Sequence, residues 1–137
     1  IGHPLTVHGT GGQTRAFIHI KDTVKCIEIA LKVPPKIGEK VKIFNQMTET
    51  HRVRDLAEMV SNKTGVKIKY IKNPRKEDDE NELHVENQCF LDLGLVPTTL
   101  NNGLLDEIHH IAEKYSDRCD QSKIICQSYW TASNGPE

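Results

Sequence analysis

The residues best suited to chemistry are two arginines beside turn-forming segments. Arg15 closes the stretch TVHGTGGQTR, with glycines at Gly9, Gly11 and Gly12. Arg75 follows Asn73-Pro74 in NPRKEDDE. A guanidinium presents a planar fork of N–H donors that matches phosphate oxygens two at a time. Glycine lets backbone come close to such a ligand. Phosphate binding is therefore the chemistry to test. The plainer reading makes Arg15 a surface arginine and the glycines a link between two strands. Glu77 could accept ribose hydroxyls, or it belongs to a solvated acidic loop, RKEDDENE. His8 could stack on a base from the end of a strand, or sit there half-buried.

Spacing and context argue against a dinucleotide cradle. Such a cradle needs G-x-G-x-x-G between a strand and a helix, so that the pyrophosphate meets a helix N-terminus. Here the order is G-x-G-G, the strand-like AFIHI follows, and no G-K-S/T occurs. Nor is there a Y-x-x-x-K: the fourth residues after Tyr70, Tyr115 and Tyr129 are Pro74, Cys119 and Ser133. No Ser-His-Asp or Cys-His arrangement can be argued. No set of Cys and His has zinc-ligand spacing, so no metal is expected. His51 and His84 have no ligand-type partner at metal spacing, and His109 and His110 read as surface residues of a helix.

The elements that must position these groups alternate. Leu5 to Gly9, Ala16 to Ile20, Lys40 to Asn45 and Val66 to Ile71 have strand character. A first helix is expected after Asp22 as N-cap, with Val24, Ile27 and Leu31 on its apolar face and Pro34 and Pro35 as its stop. THRVRDLAEMVSNKTG is the clearest amphipathic helix, with Val53, Leu56, Ala57 and Val60 on one face and Gly65 at its end. A short helix ends at Gly94. A last one carries Leu104, Leu105, Ile108, Ile111 and Tyr115 as its buried stripe. The fold class is α/β with short mixed strands and helices.

The chain has 137 residues, enough for one domain with a core of its own. Its 18 basic and 19 acidic residues leave a formal charge of −1, so no basic field recruits nucleic acid. No apolar run reaches the ~18 residues of a membrane helix. Cys26, Cys89, Cys119 and Cys126 read as reduced thiols, which fits a cytoplasmic setting. The chain opens on IGHPLTV without an initiator Met and is expected to be a portion of a longer protein. Residues 1–130 would be the functional portion and residues 131–137, TASNGPE, a disordered tail.

The segments PLTV-G-GGQTR, FNQ-TE and NPR-E, in this order, resemble the C-terminal part of the NAD-dependent sugar-nucleotide epimerase/dehydratase family, the extended short-chain dehydrogenases. Within that family the likeness is to the UDP-sulfoquinovose synthase subfamily, and it covers nearly the whole chain except the tail. The resemblance implies a substrate-binding role rather than catalysis. Thr6 and His8 would meet the uracil, Arg15 the pyrophosphate with Gln13 nearby, and Arg75 would be the second phosphate-binding arginine. Glu77 would match the carboxylate that follows it. Asp22 would cap the next helix. His8 stands where tyrosine or phenylalanine is usual, and DDENELHV replaces a stretch that normally carries a tyrosine near Glu82. The NAD fingerprint and the catalytic tyrosine and lysine belong to the family's N-terminal part, so this chain alone is expected to be inactive and without NAD. The intact protein would convert UDP-glucose and sulfite to UDP-sulfoquinovose. A UDP-hexose 4-epimerase or dehydratase, or a non-catalytic nucleotide-sugar-binding module, remain open. Without its family partner the chain is expected to expose apolar faces and to self-associate, as a homo-oligomer or with the absent N-terminal part.

Overall fold

A computed structural model of the chain describes residues 2–75 and 78–124. In chain order the elements are β1 (Leu5–His8), β2 (Gly12–Phe17), α1 (Ile20–Lys32), β3 (Glu49–Arg52), α2 (Val53–Thr64), β4 (Ile68–Ile71), β5 (Glu80–Asn81), α3 (Gln88–Asp92) and α4 (Leu105–Lys114). The described residues fall into two compact units.

The first unit holds residues 2–15, 51–75, 78–82 and 106–124. Here β1 pairs with β4 in parallel, Thr6 opposite Lys69 and His8 opposite Ile71. A parallel pair needs a crossover, and α2 is part of it. The Val53, Leu56, Ala57 and Val60 spacing packs α2 on β1 and β4, burying Ala57 and Val7. Removing a side chain such as Val7 from water contributes about 1.5–3 kcal/mol. Asp55 in the first turn and Lys63 in the last suit the helix dipole. Gly65 ends α2 in the left-handed region at φ 71°, and its N–H reaches the Ser61 carbonyl at 2.8 Å. β2 lies between β3 and β5 in a second sheet, and pairs in parallel with β5, Gly12 opposite Glu80 and Gln13 opposite Asn81.

The second unit holds Ala16–Thr50 and Leu83–Leu105. Its core joins Cys26, Phe90 and Leu95, with Ile18, Ile29, Ala30 and Phe44 against them. The Phe44 and Phe90 rings meet at 5.0 Å between centroids, within the range where aromatic pairs attract beyond simple burial. Polar ties complete it. The Thr48 N–H donates to the Phe17 carbonyl at 2.7 Å, the Asn45 amide to the Glu86 carbonyl at 3.1 Å, and the Asn87 amide to the Met47 carbonyl.

Three expectations fail in this fold. α1 begins at Ile20 with His19 as its N-cap, whose Nδ1 accepts from the Lys21 N–H at 3.0 Å. Asp22 therefore lies inside the first turn, where its buried carboxylate accepts from the Thr98 N–H and, at 3.1 Å, from Lys25. It ties the loop before Leu100 to the helix instead of capping it. Second, the Val24, Ile27 and Leu31 stripe of α1 is exposed, and Cys26, Ile29 and Ala30 face the core instead. In α4 likewise only Leu105 of the expected stripe is buried, while Ile108, Ile111 and Tyr115 are about half exposed. Third, no strand forms over Lys40 to Asn45, because no described strand edge pairs with it. The expected tail at 131–137 lies outside the described residues.

Candidate functional site

The site is built where sequence-distant segments close over the glycine loop. Thr10 Oγ1 donates to the Asp79 carbonyl at 2.8 Å and accepts from the Gly12 N–H at 3.1 Å. The Gln13 amide donates to the Asp78 carbonyl at 3.3 Å. Thr14 is held twice by Asn81. Its N–H donates to the Asn81 Oδ1 at 2.6 Å, and its Oγ1 to the Asn81 carbonyl at 2.9 Å. Apart from the Gly12–Thr10 bond, these contacts span 65 to 69 residues of sequence. They lay the segment that carries Arg75 alongside the strand that carries Arg15.

The glycines make this closure possible. Gly11 sits at φ 68°, and a Cβ there would come within 2.8 Å of Val7 Cγ1 and 3.1 Å of the Arg54 nitrogen. Its carbonyl also accepts from that Arg54 N–H at 2.9 Å. Gly12 is needed for space alone, since a Cβ would meet the Asp79 carbonyl oxygen at 2.7 Å. Both positions are thus filled by the chain's own atoms, and β2 rather than a helix follows them. This is not the turn into a helix N-terminus that cradles a dinucleotide pyrophosphate.

The expected site residues take distinct places. His8 is half-buried at the end of β1, whose pairing continues through the Gly9 N–H to the Ile71 carbonyl at 2.8 Å. Gln13 is buried, with its amide committed to Asp78, so it shapes the loop. Arg15 is half-buried in β2, its Nη1 donating to the Thr14 carbonyl at 3.2 Å. Arg75 is exposed, and its N–H donates to Asn73 Oδ1 at 3.0 Å. That bond closes an Asx turn, the local reason the Asn-Pro-Arg segment bends here. Glu77 lies outside the described residues. Thr6 is half-buried in β1 and lines a cavity of about 640 Å³ together with His3, Leu5, Val60, Val66 and His109. His8, Gln13, Arg15 and Arg75 do not line that cavity. On its wall, His109 Nε2 and Glu113 Oε1 lie 3.3 Å apart.

Asn81, Thr10 and Asn73 were missed by sequence reasoning, although they fix the loops. Asn73 had a local signal, since Asn before Pro favours turns. Asn81 had none, because its partner lies 67 residues away. Arg54 Nη1 meets Glu80 at 3.0 Å beside the loop, a partly exposed pair of the kind worth about 1 kcal/mol or less. Elsewhere, burial and then the nearby Asp22 charge push the Cys26 thiol up, away from the reactive thiolate. Among the described residues no group of three metal-ligating side chains occurs, and no helix is long and apolar enough to cross a membrane. Arg15 and Arg75 both lie on segments adjoining this closed glycine loop.

No protein-family model matches the chain. Its sequence is 42% identical over 135 residues to the chloroplastic UDP-sulfoquinovose synthase of Spinacia oleracea, covering 95% of this chain and 28% of that protein. It is 39% identical over 103 residues to the UDP-sulfoquinovose synthase of Sulfolobus acidocaldarius, covering 71% of this chain and 26% of that one. The chain thus spans little more than a quarter of the length of these relatives. In fold it is similar to a UDP-N-acetylglucosamine 4-epimerase from Methanobrevibacter ruminantium, solved with UDP-N-acetylmuramic acid. The TM-score is 0.61 at 16% identity, over 86% of this chain and 36% of that one.

Proposed function

Because the chain resembles the C-terminal part of UDP-sulfoquinovose synthase, within the NAD-dependent epimerase/dehydratase family, we propose that it is the UDP-sugar-binding portion of a UDP-sulfoquinovose synthase-like enzyme. The fold agrees, being the α/β C-terminal portion of an extended short-chain dehydrogenase. The observation that carries the reading is the closure of residues 78–81 over residues 10–14, which brings together the two segments bearing the expected phosphate ligands. Arg15 and Arg75 grip the pyrophosphate, Thr6 and His8 meet the uracil, and Gln13 holds the loop. Glu77 follows Arg75 as a ribose-binding carboxylate.

The contribution to the reaction is orientation. Holding UDP-glucose by its diphosphate fixes the sugar for chemistry carried by residues outside this chain. NAD, held by those residues, supplies the hydride acceptor and donor for the sugar. The whole enzyme would convert UDP-glucose and sulfite to UDP-sulfoquinovose with loss of water, a step toward sulfolipid. In a plant or alga its place would be the plastid stroma.

The test is a chimera of the spinach relative in which this chain replaces the matching residues. Product formation from UDP-glucose and NAD that requires sulfite is the expected result. Turnover of UDP-glucose without sulfite would move the reading to a 4-epimerase or dehydratase. Binding of UDP-glucose by the isolated chain, without turnover in the chimera, would move it to a stand-alone binding module.

A further inference from the structure

Arg54 breaks the local rule for its place. It is the second residue of α2, where the positive end of the helix dipole favours Asp or Glu and disfavours a cation. Its neighbour Asp55 obeys that rule, and Asp55 Oδ1 lies 4.0 Å from Arg54 Nε. A residue that violates its local preference is accounted for by contacts of longer range. Two such contacts exist here. The Arg54 N–H donates to the Gly11 carbonyl at 2.9 Å, and Arg54 Nη1 donates to Glu80 Oε1 at 3.0 Å. Glu80 stands opposite Gly12 in the β2–β5 pair. Its stem covers that glycine so closely that a Cβ on Gly12 would come within 2.6 Å of Glu80 Cγ. Arg54 therefore holds the glycine loop through its backbone and the returning segment through its side chain. Arg15 follows Gly12 by three residues, and Arg75 precedes Glu80 by five.

We propose that Arg54 and Glu80 form a latch that positions the two arginine-bearing segments for one diphosphate, with Arg54 a positioning residue and not a ligand. The proposal rests on the UDP-sugar reading above. With the latch closed, the two segments are aligned before the ligand arrives, and binding does not bear the cost of ordering them. The backbone bond from Arg54 survives any substitution that keeps the N–H, so the side-chain pair is the part of the latch that a variant can open.

The experiment is isothermal titration of UDP-glucose into the spinach chimera and its variants. Glu80→Gln keeps the stem over Gly12 and removes the charge. It should weaken binding by about threefold, in the range expected of a partly exposed pair. A field effect alone would strengthen binding instead, because a negative charge near the diphosphate is lost. Arg54→Glu opposes like charges and should weaken binding by about tenfold. A carboxylate suits the helix N-terminus, so this loss comes without unfolding of α2, which far-UV circular dichroism checks. Arg54→Glu combined with Glu80→Arg rebuilds the pair and should return affinity to within about threefold of wild type. Without ligand, Glu80→Gln should speed exchange of the Gly12 and Thr14 amides, which Thr10 and Asn81 hold, by about threefold or more. Unchanged or stronger binding in Glu80→Gln, or a swapped pair as weak as Arg54→Glu alone, overturns the latch. Arg15→Ala, titrated alongside, separates that outcome from failure of the functional reading. If Arg15→Ala weakens binding and the latch variants do not, only the latch falls. If none of them changes affinity, the diphosphate reading falls and the latch with it.

Discussion

The glycine loop at residues 9–14 and the segment at residues 37–45 differ in what completes them. The loop is closed by the chain itself. Asp78, Asp79 and Asn81 return from far along the sequence to bond it, and the space above Gly11 and Gly12 is already occupied. Within the segment, residues 40–45 have equally definite sequence signals, yet Val41 and Ile43 face solvent and no strand forms. Periodicity specifies what an element needs as a neighbour, and whether the neighbour is present lies outside the pattern. A segment can satisfy every local rule for a strand and remain irregular, because a strand's hydrogen bonds belong to its partner.

The largest expected effects come from regions the chain closes by itself. Phe90→Ala removes the ring at the centre of the second unit, where Phe90 is buried against Phe44. The loss should be about 3–5 kcal/mol in urea unfolding. A loss under about 1 kcal/mol would mean that this core is loosely formed. In the glycine loop, Gly11→Ala combines left-handed backbone, costing roughly 1–2 kcal/mol, with overpacking of about 1–3 kcal/mol against Val7 and Arg54. A destabilisation of about 2–5 kcal/mol should follow. A neutral result would show that the loop relaxes as residues 37–45 do, which would erase the contrast.

Asp22 supplies a smaller effect and a pH signature. Burial raises its carboxyl pKa, but the Thr98 N–H, Lys25 and the Thr98 hydroxyl together outweigh burial and hold it below the ordinary value. A carboxylate with a lowered folded pKa stabilises above its unfolded value, near 3.8, and loses that stabilisation as the pH falls through the folded one. Asp22→Ala should cost about 1–3 kcal/mol at neutral pH, because the Thr98 N–H is left without its acceptor. The difference from wild type should shrink below about pH 4. A difference that stays constant down to pH 2 would remove charge from the explanation. The smallest effect belongs to Arg75→Ala, since that side chain is exposed. Stability should change by less than about 0.5 kcal/mol, so any loss of ligand binding in this variant reports on binding and not on folding.

Much of the first unit was legible in the sequence. β1, β4 and α2 appear where alternation and helical spacing place them, and Gly65 stops α2 as a left-handed C-cap. Nearest-neighbour chemistry fixes such elements. The N-cap of α1 was read three residues late because His19 is a less usual cap than Asp. The Asp22 carboxylate found a distant N–H, on Thr98, to satisfy instead. The candidate site was legible as residue types only. Arg15 and Arg75 could be singled out by charge and by their turn-rich flanks. Their segments meet through Thr10, Gln13, Thr14 and Asn81, contacts at long sequence separation that no local pattern encodes.

Affinity for UDP-glucose in the spinach chimera, measured by isothermal titration with wild-type Arg15 and Arg75 and with each changed to alanine, tests the central claim most directly. Each alanine should weaken binding by about tenfold or more, since hydrogen bonds to charged groups contribute about 1.5–3 kcal/mol. The melting temperature of the Arg75→Ala protein should stay unchanged. Affinities that remain the same in both variants would contradict a diphosphate grip at this site.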